Sequence, residues 1–205
     1  MQAAGPLIEE SGLAGFSMIR LAERAGVNRA TAYNFFPTKY ALFHALARQY
    51  VDQFLPLITA HMEQGSSRNW QERLSALIDH AAQLYNREAT ARTLFLAGGI
   101  STEVDAVHHE INNHRLARFL RSTLETDDGL PALPESPDPY LVATEAVIAV
   151  FGTSQRTHGE IRPDFVTEAS CLAITYLENC RRRAFTADGS GAQSSPITRR
   201  VSSSE

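Results

Sequence analysis

Residues 16–43 read FSMIRLAERAGVNRATAYNFFPTKYALF, and the punctuation of this stretch decides the fold. Ser17 can cap a short helix running to Ala25, and Asn28 can cap a second one. Between them, Ala22 lies four residues before Gly26. The small side chain lets the second helix approach closely, and glycine permits the left-handed backbone of a tight turn. Met18, Leu21, Ala25, Val27, Ala32 and Phe36 are the expected core between the two helices. Arg29, Thr31, Tyr33 and Asn34 are left exposed on the second. Arginine, threonine and asparagine suit base edges or phosphates, and a tyrosine hydroxyl suits a phosphate. The spacing therefore predicts a helix-turn-helix with its second helix offered to a major groove.

Working outward, helical spacing continues and no strand alternation appears. Ala41, Leu42, Ala45, Leu46, Phe54, Leu55 and Ile58 fit one long helix, which Pro56 is expected to kink and Gly65-Ser66-Ser67 to end. Residues 70–86 carry Leu74, Leu77, Ile78, Ala81 and Leu84 at three-four spacing. A short helix over 90–97 stops at Gly98-Gly99, and another is expected over 104–125. Four prolines and a glycine make 127–139 a loop. Asp138-Pro139 then reads as an N-cap with proline at the first helical position. Residues 140–155 are apolar or small on almost every side, as in a helix buried on both flanks. Pro163 opens the last helix, to about Arg183. Residues 184–205 are rich in serine, glycine and alanine and are expected to be disordered.

The fold class is thus all-α. A helix-turn-helix head over 1–45 precedes a helical body over 46–183 and a tail over 184–205. The chain of 205 residues carries formal net charge −4 and 43% hydrophobic residues, ordinary for a soluble globular protein. That total hides a polarity. Residues 11–50 hold Arg20, Arg24, Arg29, Lys39 and Arg48 against Glu23 alone. Residues 51–183 hold twelve basic and eighteen acidic side chains. Lys39 is the sole lysine. The longest apolar run, 146–151, is far short of a membrane span, and the N-terminus lacks the pattern of a secretory signal. A cytoplasmic location is expected, with no membrane partner. Cys171 and Cys180 are nine residues apart on one helix and point to nearly opposite sides, so they cannot pair within it. The run HHEINNH over 108–114 lacks the i, i+4 histidine pair of a helical zinc site. No metal and no cofactor are expected.

The 28-residue stretch resembles the DNA-binding head of the TetR-type (tetracycline-repressor-like) transcriptional regulators. The residues that carry the likeness are Ser17, Leu21-Ala22, Ala25-Gly26-Val27, Asn28, Tyr33, Phe35-Phe36, Pro37 and Lys39. The resemblance implies that Ser17 and Tyr33 touch phosphates. Lys39 would bring its ammonium and a helix start to the backbone, and Asn28, Arg29, Thr31 and Asn34 would lie at the DNA surface, the last three as base contacts. Ser17 and Asn28 can equally be caps alone, and Tyr33 can be partly core. One departure is that the family has a longer first helix preceded by a basic arm. Here Gly5-Pro6 is expected to interrupt that helix, so the native start is expected upstream of Met1.

For the body, the resemblance implies a pocket for a small-molecule effector and a homodimer on a palindromic double-stranded operator. A short recognition helix reads few base pairs, so two-fold symmetry is expected independently. Residues 140–155 and 163–183 are the candidate interface, with Ala143, Ala146, Ala149 and Gly152 permitting close approach and Phe165, Ala169, Leu172, Ala173, Tyr176 and Leu177 as an apolar stripe. Candidate pocket walls are Phe54, Ile58, Met62, Leu77, Tyr85, Phe95, Ile111, Phe119 and Phe151, with His108 and Glu145 as polar members. His108 can also be a satisfied core histidine. The expected function is a DNA-binding regulator, a repressor released by its effector. The alternatives are a helical interaction protein with a degenerate head, or a small helical enzyme. Against the enzyme stands the lack of a Gly-rich phosphate loop, a Gly-x-Ser-x-Gly elbow and a Cys-x-x-Cys pair.

Overall fold

The structure is a computed structural model. It describes residues 1–64, 69–96, 113–127 and 132–190, with side chains left out at 61–64, 126–127 and 186–190. Among the described residues every regular element is a helix: α1 (Ala4–Gly15), α2 (Met18–Arg24), α3 (Arg29–Phe35), α4 (Lys39–Gln64), α5 (Trp70–Arg87), α6 (Ala89–Leu96), α7 (His114–Asp127), α8 (Pro139–His158) and α9 (Pro163–Ser190).

Two apolar clusters organise them. The first gathers Leu7, Ile8, Leu13, Phe16, Met18, Leu21, Ala32, Leu42, Phe43 and Leu46, so it belongs to α1–α3 and the start of α4. Leu94 of α6 joins it. The second gathers Phe54, Ile58, Leu74, Tyr85, Leu124, Tyr140, Phe151, Ala173 and Leu177 from α4, α5, α7, α8 and α9. The predicted boundary at residue 45 thus falls inside a continuous helix, whose first half is head core and whose second half is body core. α4 runs through Pro56 as one element. Pro56 and Asp52 are both exposed, so the Asp52 carbonyl that loses its i+4 donor faces water.

Local chemistry explains the helix ends. Asn69 Oδ1 accepts from Glu72 N at 2.9 Å and starts α5. Asp138 Oδ1 accepts from Tyr140 N at 3.0 Å, with Pro139 following at the first position of α8. Gly159, at φ 77°, ends α8 in the left-handed region. Arg121 holds the preceding loop, donating to the Leu133 and Pro134 carbonyls while pairing with Glu125 and Asp138.

Several expectations are corrected. The first helix is interrupted at Gly12 (φ 63°), not at Gly5-Pro6. Pro6 lies in the first turn of α1, where its N–H would have no intrahelical acceptor. The last helix continues past Arg183 to Ser190, so residues 184–190 of the expected tail are helical. Of the helix expected over 104–125, the described part begins at His114. Residues 104–112 lie outside the described residues, and with them most of the HHEINNH run.

Candidate nucleic-acid interface and body cavity

The head forms as its punctuation implies. Val27 N donates to Ala22 O at 3.0 Å and Gly26 N to Glu23 O at 3.1 Å, closing the end of α2 around Gly26 at φ 65°. Asn28 Oδ1 then accepts from Thr31 N at 2.7 Å and caps α3. Ser17 occupies the equivalent position before α2, but its side chain makes no capping bond. Ala25 and Val27 are exposed, Val27 at 41%, rather than core. The left-handed turn swings them past the α2–α3 contact. Phe36, Tyr33 and Ala32 carry the packing instead.

One turn of geometry sorts the candidate contacts. At 100° per residue, Ala32 and Phe36 point inward. Ala30, Thr31 and Asn34 occupy the opposite side and Phe35 the flank, about 60° from Ala32; Ala30, Asn34 and Phe35 are exposed. Arg29 is exposed too, yet its guanidinium sits 5.4 Å from the Tyr33 ring centroid, along the flank of the helix. Lys39 Nζ donates to the Leu13 and Ala14 carbonyls at 3.3 and 3.4 Å. Its charge is therefore fixed at the carboxyl end of α1, where helix carbonyls favour a cation. Thr38, which the sequence reading passed over, caps α4 by accepting from Ala41 N at 3.1 Å.

The basic head is partly neutralised from within. Arg24 and Arg20 reach the Glu10 carboxylate at 2.6 and 3.5 Å. The Arg24 hydrogen bond chiefly holds the Glu10 carboxyl below its usual range, with both arginine charges adding to it.

The body holds a cavity of about 80 Å³. Val51, Phe54, Leu55 and Ile58 of α4 form one wall. Tyr85, Phe95, Leu120, Thr144 and Phe151 are among the residues that face them. Tyr85 stands at the centre of an aromatic cluster, its ring centroid 5.7, 5.8 and 6.5 Å from those of Phe54, Phe95 and Phe151. Burial pushes the Tyr85 hydroxyl upward, so it stays neutral. Among the described residues of the lining, Thr144 and Tyr85 supply the only hydroxyls and no charged side chain contributes. The Thr144 hydroxyl donates to Tyr140 O at 2.8 Å and is left to act as an acceptor.

Phe54, Ile58, Leu77, Tyr85, Phe95 and Phe151 all line this cavity. Glu145 does not. It lies one residue, hence 100°, beyond Thr144 and accepts from Asn113 Nδ2 at 2.6 Å. Phe119 packs on the body core without lining the cavity. The side chain of Met62, and His108 and Ile111 altogether, lie outside the described residues. The residues expected at an interface also divide. Ala143, Ala169, Ala173 and Leu177 are buried within the chain, and Gly152 lets α8 approach the Leu96 carbonyl, 3.2 Å from where a Cβ would stand. Val142, Ala149 and Leu172 remain on the outside.

The helix-turn-helix head is thus joined by one continuous helix, α4, to a hollow helical body. Residues 1–46 match the family model "Bacterial regulatory proteins, tetR family". Among solved structures, a TetR-family transcriptional regulator from Streptomyces coelicolor is similar at 22% identity and TM-score 0.68, over 87% of this chain and 95% of its own. The fatty acid degradation regulator FadR from Bacillus halodurans follows at 17% and 0.64, over 86% and 91%. FadR from Bacillus subtilis, solved in complex with stearoyl-CoA, matches at 17% and 0.61, over 85% and 94%. No match was found among curated proteins. Residues 1–46 thus match the tetR-family DNA-binding head, and the chain as a whole shares its fold with these regulators. No described helix is long and apolar enough to cross a membrane.

Proposed function

We propose that the chain represses transcription as a homodimer on a palindromic operator, and that a molecule whose uncharged, largely apolar part occupies the body cavity releases it. The observation that carries this reading is the double duty of α4. Leu42, Phe43 and Leu46 are head core, while Val51, Phe54 and Ile58 wall the cavity. At about 1.5 Å of rise per residue, the eleven residues from Phe43 to Phe54 separate the two by about 16 Å of one continuous rod.

The cavity volume supplies the driving force. A cavity of about 150 Å³ holds a benzene-sized guest, so one of about 80 Å³ admits only a few carbons as it stands. A larger ligand must move α4 against α6 and α8, and so favours a different head position. Only such differential affinity can shift the equilibrium. An alkyl or acyl chain fits an uncharged hydrocarbon wall, and the FadR structure with stearoyl-CoA lends the same class support.

On the DNA, Thr31 and Asn34 meet base edges with Arg29 at their rim, while Ser17, Tyr33 and Lys39 meet phosphates. Asn28 acts as a cap behind them. Val142, Ala149 and Leu172, with the half-buried Phe165 and Tyr176, form the outer apolar face of α8 and α9 that pairs with a second copy.

A gel shift on the intergenic DNA beside its own gene tests the proposal, with fatty acids and acyl thioesters of four to eighteen carbons added in turn. The expected result is a retarded band absent from a scrambled duplex, lost at one range of chain lengths. A band indifferent to every chain length would overturn effector release, and failure to discriminate the scrambled duplex would overturn operator binding.

A further inference from the structure

The outward face of α3 is unusually poor in charge for a surface said to meet DNA. It presents Ala30, Thr31 and Asn34, and on the flank beside Asn34 the Phe35 ring is 75% exposed although Phe36 packs into the head. No acidic residue stands on α3 at all. The cations lie to the sides, Arg29 over the Tyr33 ring and Lys39 on the carbonyls that end α1. A phenyl ring left in water gives up the gain its burial would bring, so a hydrocarbon partner on the target is the natural complement.

In a major groove the only hydrocarbon group that varies with sequence is the thymine 5-methyl, which alanine, threonine methyl and phenylalanine contact favourably. Asparagine pairs in bidentate fashion with N6 and N7 of adenine. An A·T pair displays both features on one edge. We infer that α3 selects A·T pairs in each operator half-site, with Phe35 reading a thymine methyl beside an adenine read by Asn34. Phe35 is thereby a specificity residue, and Arg29 serves the groove's edge rather than a guanine at its centre. This rests on the operator-binding reading above.

The test has two stages. The full-length chain first selects binding sites from a pool of randomised duplexes. Each thymine of the selected half-site is then replaced by deoxyuridine, which removes only the methyl. Wild-type protein is expected to lose about fourfold in affinity at one or two positions, the worth of one buried methyl-sized group. Phe35→Ala is expected to lose that factor on the thymine duplex and to be indifferent to uracil at the same position. Asn34→Ala should relax selection at the neighbouring adenine. An unchanged melting temperature and molecular mass would establish that Phe35→Ala remains folded and does not act through self-association.

Half-sites selected with G·C pairs throughout would overturn the inference and leave operator binding intact. So would equal sensitivity to uracil in wild type and Phe35→Ala, or a change of oligomeric mass in that variant. Failure to enrich any sequence would overturn both readings.

Discussion

Ser17 and Asn28 occupy matching positions, each one residue ahead of a short helix, yet only Asn28 closes its cap. Their substitutions should therefore part company. Asn28→Ala should cost about 1 kcal/mol of stability in urea unfolding, the usual worth of a cap. Ser17→Ala should leave the unfolding curve in place and weaken binding to all DNA sequences alike. Glu10 allows a second test at this scale, because it occupies Arg20 and Arg24. Glu10→Gln should release both guanidinium groups, and so strengthen binding to unrelated DNA at low salt and steepen its salt dependence. Since its carboxyl is held below the usual range, wild-type pairing is complete above the unfolded carboxyl's pKa. It is lost as pH falls through the lowered folded value. Acidification should therefore abolish the difference between the two proteins. The Asn28 and Asp138 caps were readable because each stands directly before a helical pattern, whereas Ser17 offers the same signal and makes no bond and the Thr38 cap was passed over. The exposure of Val27 and Phe35 was not readable, since it depends on how a left-handed turn and a neighbouring aromatic divide the little space between α2 and α3.

At the scale of elements, α6 joins the two clusters as closely as α4 does. Leu94 is in the head core and Phe95 lines the cavity. Thr90 donates to Glu9 Oε1 at 2.6 Å, and a Cβ on Gly5 would come within 3.0 Å of the Thr90 hydroxyl. Thr90→Val keeps the shape and removes that bond between α6 and α1. It should cost about 1 kcal/mol in urea unfolding, the net worth of one hydrogen bond, because Glu9 is exposed and water can replace the lost donor. On the proposed mechanism it should also raise the effector concentration needed to release DNA. An unaltered effector response would mean that α4 alone carries the signal. Helix positions were legible over most of the described residues because apolar spacing and caps agreed, but the break at Gly12 and the helical stretch 184–190 were not. Whether an apolar side chain borders a hollow or solid core was not. Both satisfy the same sequence pattern, and Phe119 and Phe151 ended on different sides of that line.

At the scale of the whole molecule, a net charge of −4 conceals a positive segment over 11–50 and an acidic body over 51–183. An acidic body discourages DNA from any approach except through the head. Segment charges gave this directly, whereas the division of α8 and α9 into a core face and an outer face needed three dimensions. The same helices bury Ala143 and Leu177 and expose Val142 and Leu172, so composition alone could not separate packing within the chain from packing between copies. The central claim is that the head docks on DNA through the cations beside α3. Its most direct test is fluorescence anisotropy of full-length protein on its selected duplex across a salt series, with wild type and Lys39→Ala compared. The account predicts a linear fall of log affinity with log salt, shallower by about one unit of slope in the variant, the signature of one lost phosphate contact. Equal slopes for the two proteins, or affinity insensitive to salt, would contradict it.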